Sequence, residues 1–102
     1  MDDSRKLLNI KVRFAGSMRE LAGMRELGIS MTEGATILNL FSRLSEMLPE
    51  SFHLQILSQI IQADRKITIL LHNRKNIHDQ DSLSTLLHDG DELAFVPPME
   101  GG

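Results

Sequence analysis

Cysteine is absent from the 102 residues. That one absence removes disulfide frameworks, thiolate catalysis and zinc–thiolate sites together, and it fits a reducing compartment. An excess of basic residues is lacking too. Eleven Lys and Arg against fourteen Asp and Glu leave a net charge of −3, which argues against a nucleic-acid partner. Like charges never run beyond two in a row, so there is no acidic or basic tail. Met1-Asp2-Asp3-Ser4 is acidic and has no apolar segment behind it of the kind a secretory signal needs. Apolar runs such as Ile69-Leu71 are far too short to span a bilayer. The expectation is a soluble cytoplasmic protein with no membrane partner. No phosphate-binding glycine loop or nucleophile elbow is present, so the chain shows no machinery of an autonomous enzyme. His53, His72, His78 and His88 lack paired-ligand spacing, and Asp89-Gly90-Asp91 lacks the loop length and closing glutamate of a calcium site. No metal and no bound cofactor is expected.

What remains is ordinary globular composition, 41% apolar and 25% charged, enough for one domain over residues 1–102 with a single modest core. Leu8-Asn9-Ile10-Lys11-Val12-Arg13-Phe14 alternates with the period of a half-buried strand, Leu8, Ile10, Val12 and Phe14 inward. Ser17 resembles an N-cap for a helical turn over Met18–Ala22, closed by Gly23. A second alternating stretch carries Leu27, Ile29 and Met31, and Thr32-Glu33-Gly34 turns the chain. Strands so close in sequence pair as neighbours. Ile37, Leu40, Phe41, Leu44 and Leu48 fall on one helical face between Thr36, a suitable N-cap, and Pro49. Ile56, Leu57, Ile60 and Ile61 suggest a second, shorter helix. Ile67-Thr68-Ile69-Leu70-Leu71 reads as a strand with Ile67, Ile69 and Leu71 inward. Asn73–Asn76 forms a tight turn with either asparagine able to adopt a left-handed conformation. Leu83, Leu86 and Leu87 suggest a helical turn begun by Asp81 or Ser82; Asp89-Gly90 turns into a last strand, Glu92–Val96. The fold class is α+β, a mixed sheet with one main helix across one face.

The chain then leaves that strand through Pro97-Pro98 and finishes Met99-Glu100-Gly101-Gly102. Proline fixes φ and favours an extended arm, and glycine makes the slimmest chain end. Extended, the residues from Pro97 onward reach roughly 20 Å. The expectation is that the Gly102 carboxylate is the reactive group, acted on by another enzyme. In the last strand Leu93 and Phe95 point inward, so Ala94 and Val96 point outward, and Leu70 alternates outward as well. Apolar residues on a solvated face suggest a docking surface for a partner. Lys11, Arg13 and Arg74 fit either charge steering of that partner or a plain solvated face.

Three stretches carry a family resemblance: Val12-Arg13-Phe14-Ala15 through Met18-Arg19-Glu20-Leu21-Ala22-Gly23, Thr32-Glu33-Gly34-Ala35-Thr36, and Asp89-Gly90-Asp91-Glu92-Leu93-Ala94-Phe95-Val96-Pro97-Pro98 with the terminal Gly101-Gly102. The chain resembles the β-grasp sulfur carriers, the molybdopterin-synthase small subunit (MoaD) branch related to the thiamine-pathway carrier ThiS. The ending is the most specific of the three. The resemblance implies a ubiquitin-like β-grasp fold. It also implies that a MoeB-like activating enzyme uses ATP to adenylate Gly102, and that a sulfurtransferase step yields a thiocarboxylate. A MoaE-like large subunit would then place that sulfur beside a pterin precursor. On this reading Gly101 and Gly102 thread a narrow channel, and Pro97, Pro98, Val96, Ala94, Leu70, Met99 and Glu100 meet the partner. Two features depart from the family pattern. The Pro49–Lys66 stretch is longer than the family minimum, and Arg74 stands where the family often has glycine. They leave open the alternatives: a ubiquitin-like modifier conjugated through Gly102 to lysines, or a carrier for another sulfur pathway such as thiamine, cysteine or tRNA thiolation.

Overall fold

A computed structural model of the chain describes residues 6–61, 69–76 and 83–97. Its elements are β1 (Leu7–Phe14), α1 (Met18–Ala22), β2 (Glu26–Thr32), α2 (Ile37–Met47), α3 (Glu50–Phe52), a π-helical stretch (His53–Leu57), α4 (Ser58–Ile61), β3 (Ile69–His72), β4 (Lys75–Asn76) and β5 (Glu92–Val96). The five strands form one sheet in the order β2-β1-β5-β3-β4. β1 and β2 are antiparallel, with Ile10 opposite Ile29. β5 lies parallel to β1, with Val12 opposite Leu93. This is the α+β, ubiquitin-like β-grasp arrangement expected of the sequence. The last described strand therefore sits in the middle of the sheet.

The alternation in β1 is complete: Leu8, Ile10, Val12 and Phe14 are buried and their neighbours exposed. In β2, Ile29 and Met31 are buried and Leu27 is half-buried. Helix α2 starts at a reciprocal cap in which the Thr36 hydroxyl accepts from the Asn39 amide (3.2 Å) and the Asn39 side chain accepts from the Thr36 amide (2.8 Å). Such a cap satisfies two of the donors that a helix start leaves open. Ile37, Leu40, Phe41 and Leu44 are its buried face. All four phenylalanines of the chain meet around Phe95, at ring-centroid distances of 5.7 Å to Phe14, 5.3 Å to Phe52 and 5.9 Å to Phe41. The stretch after Pro49 is thus part of the core. Phe52, Ile56, Leu57 and Ile60 are buried, and Phe52 stands edge-on to both Phe14 and Phe95.

The structure differs from the sequence reading at four places. Ser17 makes no side-chain cap, because its backbone is already helical (φ −65°, ψ −15°) and a capping side chain needs an extended one. The second helix is not uniformly α-helical but carries a π-helical stretch over His53–Leu57. The expected helical turn is limited to a short 3-10 turn at Leu83-Ser84: Leu83 and Leu87 are buried, but Leu86 is exposed and bridges to Thr36 instead of continuing that turn. The phase of β3 is reversed. Leu70 registers opposite Phe95 and Leu71 opposite Ala94, so the row shared with outward-facing Ala94 belongs to Leu71 and not to Leu70. Ile67, Asp81 and Ser82 lie outside the described residues. Among the described residues no helix is long and apolar enough to cross a membrane.

Candidate functional site

The expected reactive end begins where β5 leaves the sheet. Phe95 is buried, whereas Ala94, Val96 and Pro97 are half-buried. The Ala15 amide donates to the Phe95 carbonyl at 3.0 Å, extending the parallel pairing one residue past β1. The next residue, Gly16, has φ +54° and faces Pro97; a Cβ there would stand 3.0 Å from the Pro97 Cγ. Glycine is used here on two counts, for its left-handed backbone and for the close approach of the proline ring. The loop after β1 thereby fixes the root of the tail. Pro98, Met99, Glu100, Gly101 and Gly102 lie outside the described residues.

Beside this root, on the outer face of the sheet, is an open hollow of about 530 Å³. Arg13, Arg19, Arg25 and Arg74 surround it, Glu26 and Glu92 share its rim, and Leu71 and Ala94 lie half-buried within its lining. Each arginine comes from a different part of the chain: β1, α1, the link into β2, and the β3–β4 turn. Arg13 stands 3.5 Å from Glu92 in a partly exposed pair, a geometry that contributes little in water. The Arg19 Nε donates to the Phe14 carbonyl at 3.2 Å, which ties α1 to the end of β1.

The other end of β5 is held by Asp91, whose side chain is only 9% exposed. Its Oδ1 accepts from the Asn73 side chain (3.0 Å), and its Oδ2 accepts from the His88 amide (2.8 Å) and lies 3.0 Å from the His72 Nε2. An ionised carboxylate only accepts, so that Nε2 carries the proton. Burial pushes the Asp91 carboxyl up, but the hydrogen bonds from Asn73, His72 and the His88 amide, with the charge of His72 beside it, hold it below its ordinary 3.8. The Asn73 side chain also accepts from the Glu92 amide at 2.8 Å. Asp89 accepts from the Asn9 amide at 2.8 Å. The paired carboxylates of Asp89-Gly90-Asp91 are a structural turn: they clamp the start of β5 to β1 and to the β3–β4 turn.

The structure brings Ala94, Val96 and Pro97 together at the tail root and sets Arg13 and Arg74 around one hollow. Lys11 stands apart from that hollow. Gly16, Arg19, Arg25 and Leu71 were missed by sequence reasoning. Only the parallel register of β1 with β5 places the residues after Phe14 beside those after Phe95, and no local pattern announces it.

Taken together these features define a ubiquitin-like β-grasp protein whose last described strand is the central one of its sheet. The chain belongs to the ThiS family, whose model matches residues 12–102. It is 33% identical over 96 residues to a molybdopterin synthase sulfur carrier subunit of Drosophila yakuba, covering 94% of this chain and 93% of that protein. A protein of the same name from Chlamydomonas reinhardtii is 27% identical over 95 residues, covering 93% of this chain and all of that one. Among solved structures, small archaeal modifier protein 1 of Methanosarcina acetivorans superposes with a TM-score of 0.65 at 29% identity, over 95% of this chain and 99% of that one. The HVO 2177 protein of Haloferax volcanii gives 0.74 at 22% identity, over all of this chain and 93% of that one. Subunits 1 and 2 of the molybdopterin-converting factor of Helicobacter pylori, solved as a complex, include a chain that gives 0.61 at 22% identity, over 93% of this chain and all of that one.

Proposed function

We propose that this chain is a sulfur carrier of molybdenum-cofactor biosynthesis, working as the small subunit of a molybdopterin synthase. The observation that carries the reading is the ThiS-family match running through to Gly102, joined to two relatives of the same name that align over nearly their whole length. The geometry at the tail root supports it: the final strand is locked at both ends, by Asp91 and by Ala15, so the tail starts from a rigid base.

The chemistry follows from the carboxylate. A carboxylate is a poor acyl donor, because it is resonance-stabilised and oxide is a bad leaving group. An activating enzyme of the MoeB type uses ATP to convert the Gly102 carboxylate into an acyl adenylate, releasing pyrophosphate. The outer sulfur of a sulfurtransferase persulfide then displaces AMP to form an acyl disulfide, and a thiol reductant cleaves its S–S bond, leaving a thiocarboxylate on Gly102. That thiocarboxylate is the nucleophile delivered to the pterin precursor on a large subunit, a partnership supported by the two-subunit complex from Helicobacter pylori. Gly101 keeps the end narrow, and Pro97 and Pro98 reduce the entropy lost when the arm is held extended. Val96, Met99 and Glu100 contact the partner along the same arm. In this scheme the protein is a co-substrate during activation and a subunit during transfer.

Intact-mass measurement after incubation with ATP, an activating enzyme and a sulfur donor tests this reading, since exchanging oxygen for sulfur adds about 16 Da. Deleting Gly102 is expected to abolish the shift while the circular dichroism spectrum stays unchanged. A chain lacking Gly102 that still gains the mass would refute it. One observation favours a second reading, a protein modifier: the 29% identity to small archaeal modifier protein 1. The same assay separates the two, because a modifier yields a ladder of heavier lysine-linked conjugates.

A further inference from the structure

The hollow beside the tail root has a feature that sulfur transfer does not use. Arg74 occupies the second central position of the β3–β4 turn with φ +73°, next to Asn73 at φ +52°. Left-handed backbone costs a residue with a Cβ about 1–2 kcal/mol, and glycine would avoid that cost. For Asn73 a structural reason is visible, since its side chain bonds both Asp91 and the Glu92 amide. The Arg74 side chain has no hydrogen bond or ion pair among the described residues; it is exposed and lines the hollow. Strain kept without a structural return points to a role for the side chain itself.

We infer that the arginine-lined hollow docks an acidic, partly apolar segment of the protein that receives the tail, and that Arg74 is the residue that selects it. The inference rests on the reading that the tail is presented to a protein partner. A protein that grips the chain beyond Pro97 meets this face, because the lining includes Ala15, whose amide donates to the Phe95 carbonyl. Arg13, Arg19, Arg25 and Arg74 outnumber Glu26 and Glu92 around the hollow, although the chain as a whole carries −3. A local cationic patch on an anionic protein orients an acidic partner during encounter. Planar guanidinium groups suit carboxylates, which they bind through paired hydrogen bonds. Glu26, Glu92 and the overall negative charge disfavour a phosphate polyanion. Half-buried Leu71 and Ala94 offer contact to an apolar side chain between the acids.

The test is a titration of the isotope-labelled full-length chain, followed by nuclear magnetic resonance. The probe is a short synthetic peptide rich in glutamate with interspersed leucine. Controls are the same peptide with glutamine for glutamate, and an oligothymidylate. Saturable shifts are expected at Arg13, Arg25, Arg74 and Ala94 with the acidic peptide alone. Arg74→Gly is expected to weaken binding about five- to tenfold, while its melting temperature equals or exceeds that of the parent. Equal affinity of Arg74→Gly, equal shifts with the glutamine peptide or the oligothymidylate, or shifts scattered over the whole surface would overturn the inference. Deleting Gly102 is expected to leave peptide binding unchanged, so the docking result and the intact-mass result fail independently.

Discussion

Gly16 and Gly23 provide a matched pair for measuring how firmly the loop after β1 holds the tail. Both have left-handed backbone, φ +54° and +79°. A methyl group at Gly23 would meet nothing within 4 Å, whereas at Gly16 it would stand 3.0 Å from the Pro97 Cγ. Gly23→Ala therefore reads the backbone cost alone, about 1–2 kcal/mol. Gly16→Ala adds a contact inside the optimal carbon–carbon separation of about 3.5–4.0 Å. The proline ring must then shift by a few tenths of an ångström, or the loop must. Overpacking of this sort costs about 1–3 kcal/mol, so Gly16→Ala is expected to be about 2–5 kcal/mol less stable than the parent. For a domain of this size each kcal/mol lowers the melting temperature by about 4–8 °C. Calorimetry on both single variants should show Gly16→Ala melting at least several degrees below Gly23→Ala. Pro97→Ala removes the offending ring carbon, so the double variant Gly16→Ala/Pro97→Ala should recover most of that difference. Sulfur loading of Gly102, scored by intact mass, should slow in Gly16→Ala and stay unchanged in Gly23→Ala. Equal melting temperatures for the two alanine variants, or no coupling between Gly16 and Pro97, would show that the loop does not brace the tail.

Two further predictions concern the framework. Asp91→Asn removes the charge that Asn73, His72 and the His88 amide share, and is expected to cost about 1–3 kcal/mol at neutral pH by urea unfolding. The pKa of Asp91 is lowered in the fold, so its contribution is fully present above 3.8 and is lost as pH falls through the lower folded value. The gap between parent and Asp91→Asn should therefore close on acidification. Phe52→Ala removes the ring that stands edge-on to both Phe14 and Phe95 and should cost about 3–5 kcal/mol. Against a total stability of about 5–15 kcal/mol, that leaves a chain whose folded fraction is visibly reduced by circular dichroism.

Local pattern was enough wherever one neighbour decided an element. The strict alternation of β1, the apolar face of α2 and the stop at Pro49 were all legible, since strand and helix periods depend on nothing beyond the segment itself. Leu93 and Phe95 were placed inward for the same reason. Pattern was not enough for β3. Ile69-Leu70-Leu71 is apolar throughout, so the hydrophobic period is silent about phase, and a slip of one residue exchanges the faces. Only the register with β5 put Leu71, not Leu70, beside Ala94. The stretch after Pro49 was ambiguous too: its place in the core depends on Phe52 reaching Phe14 and Phe95 across a long separation in sequence.

By itself, then, the order of residues determined the α+β class, the strand and helix periods, and the pattern of two prolines followed by two glycines after the last strand. These are short-range properties, written in side-chain chemistry and backbone freedom. Tertiary structure alone decided that the first and last strands lie parallel at the centre of the sheet. Long-range pairing set Gly16 against Pro97 and gathered four arginines from four separate segments around one hollow. Proximity between distant segments is settled by which register buries the most apolar surface without leaving backbone groups unpaired, a property of the whole chain and of no window within it.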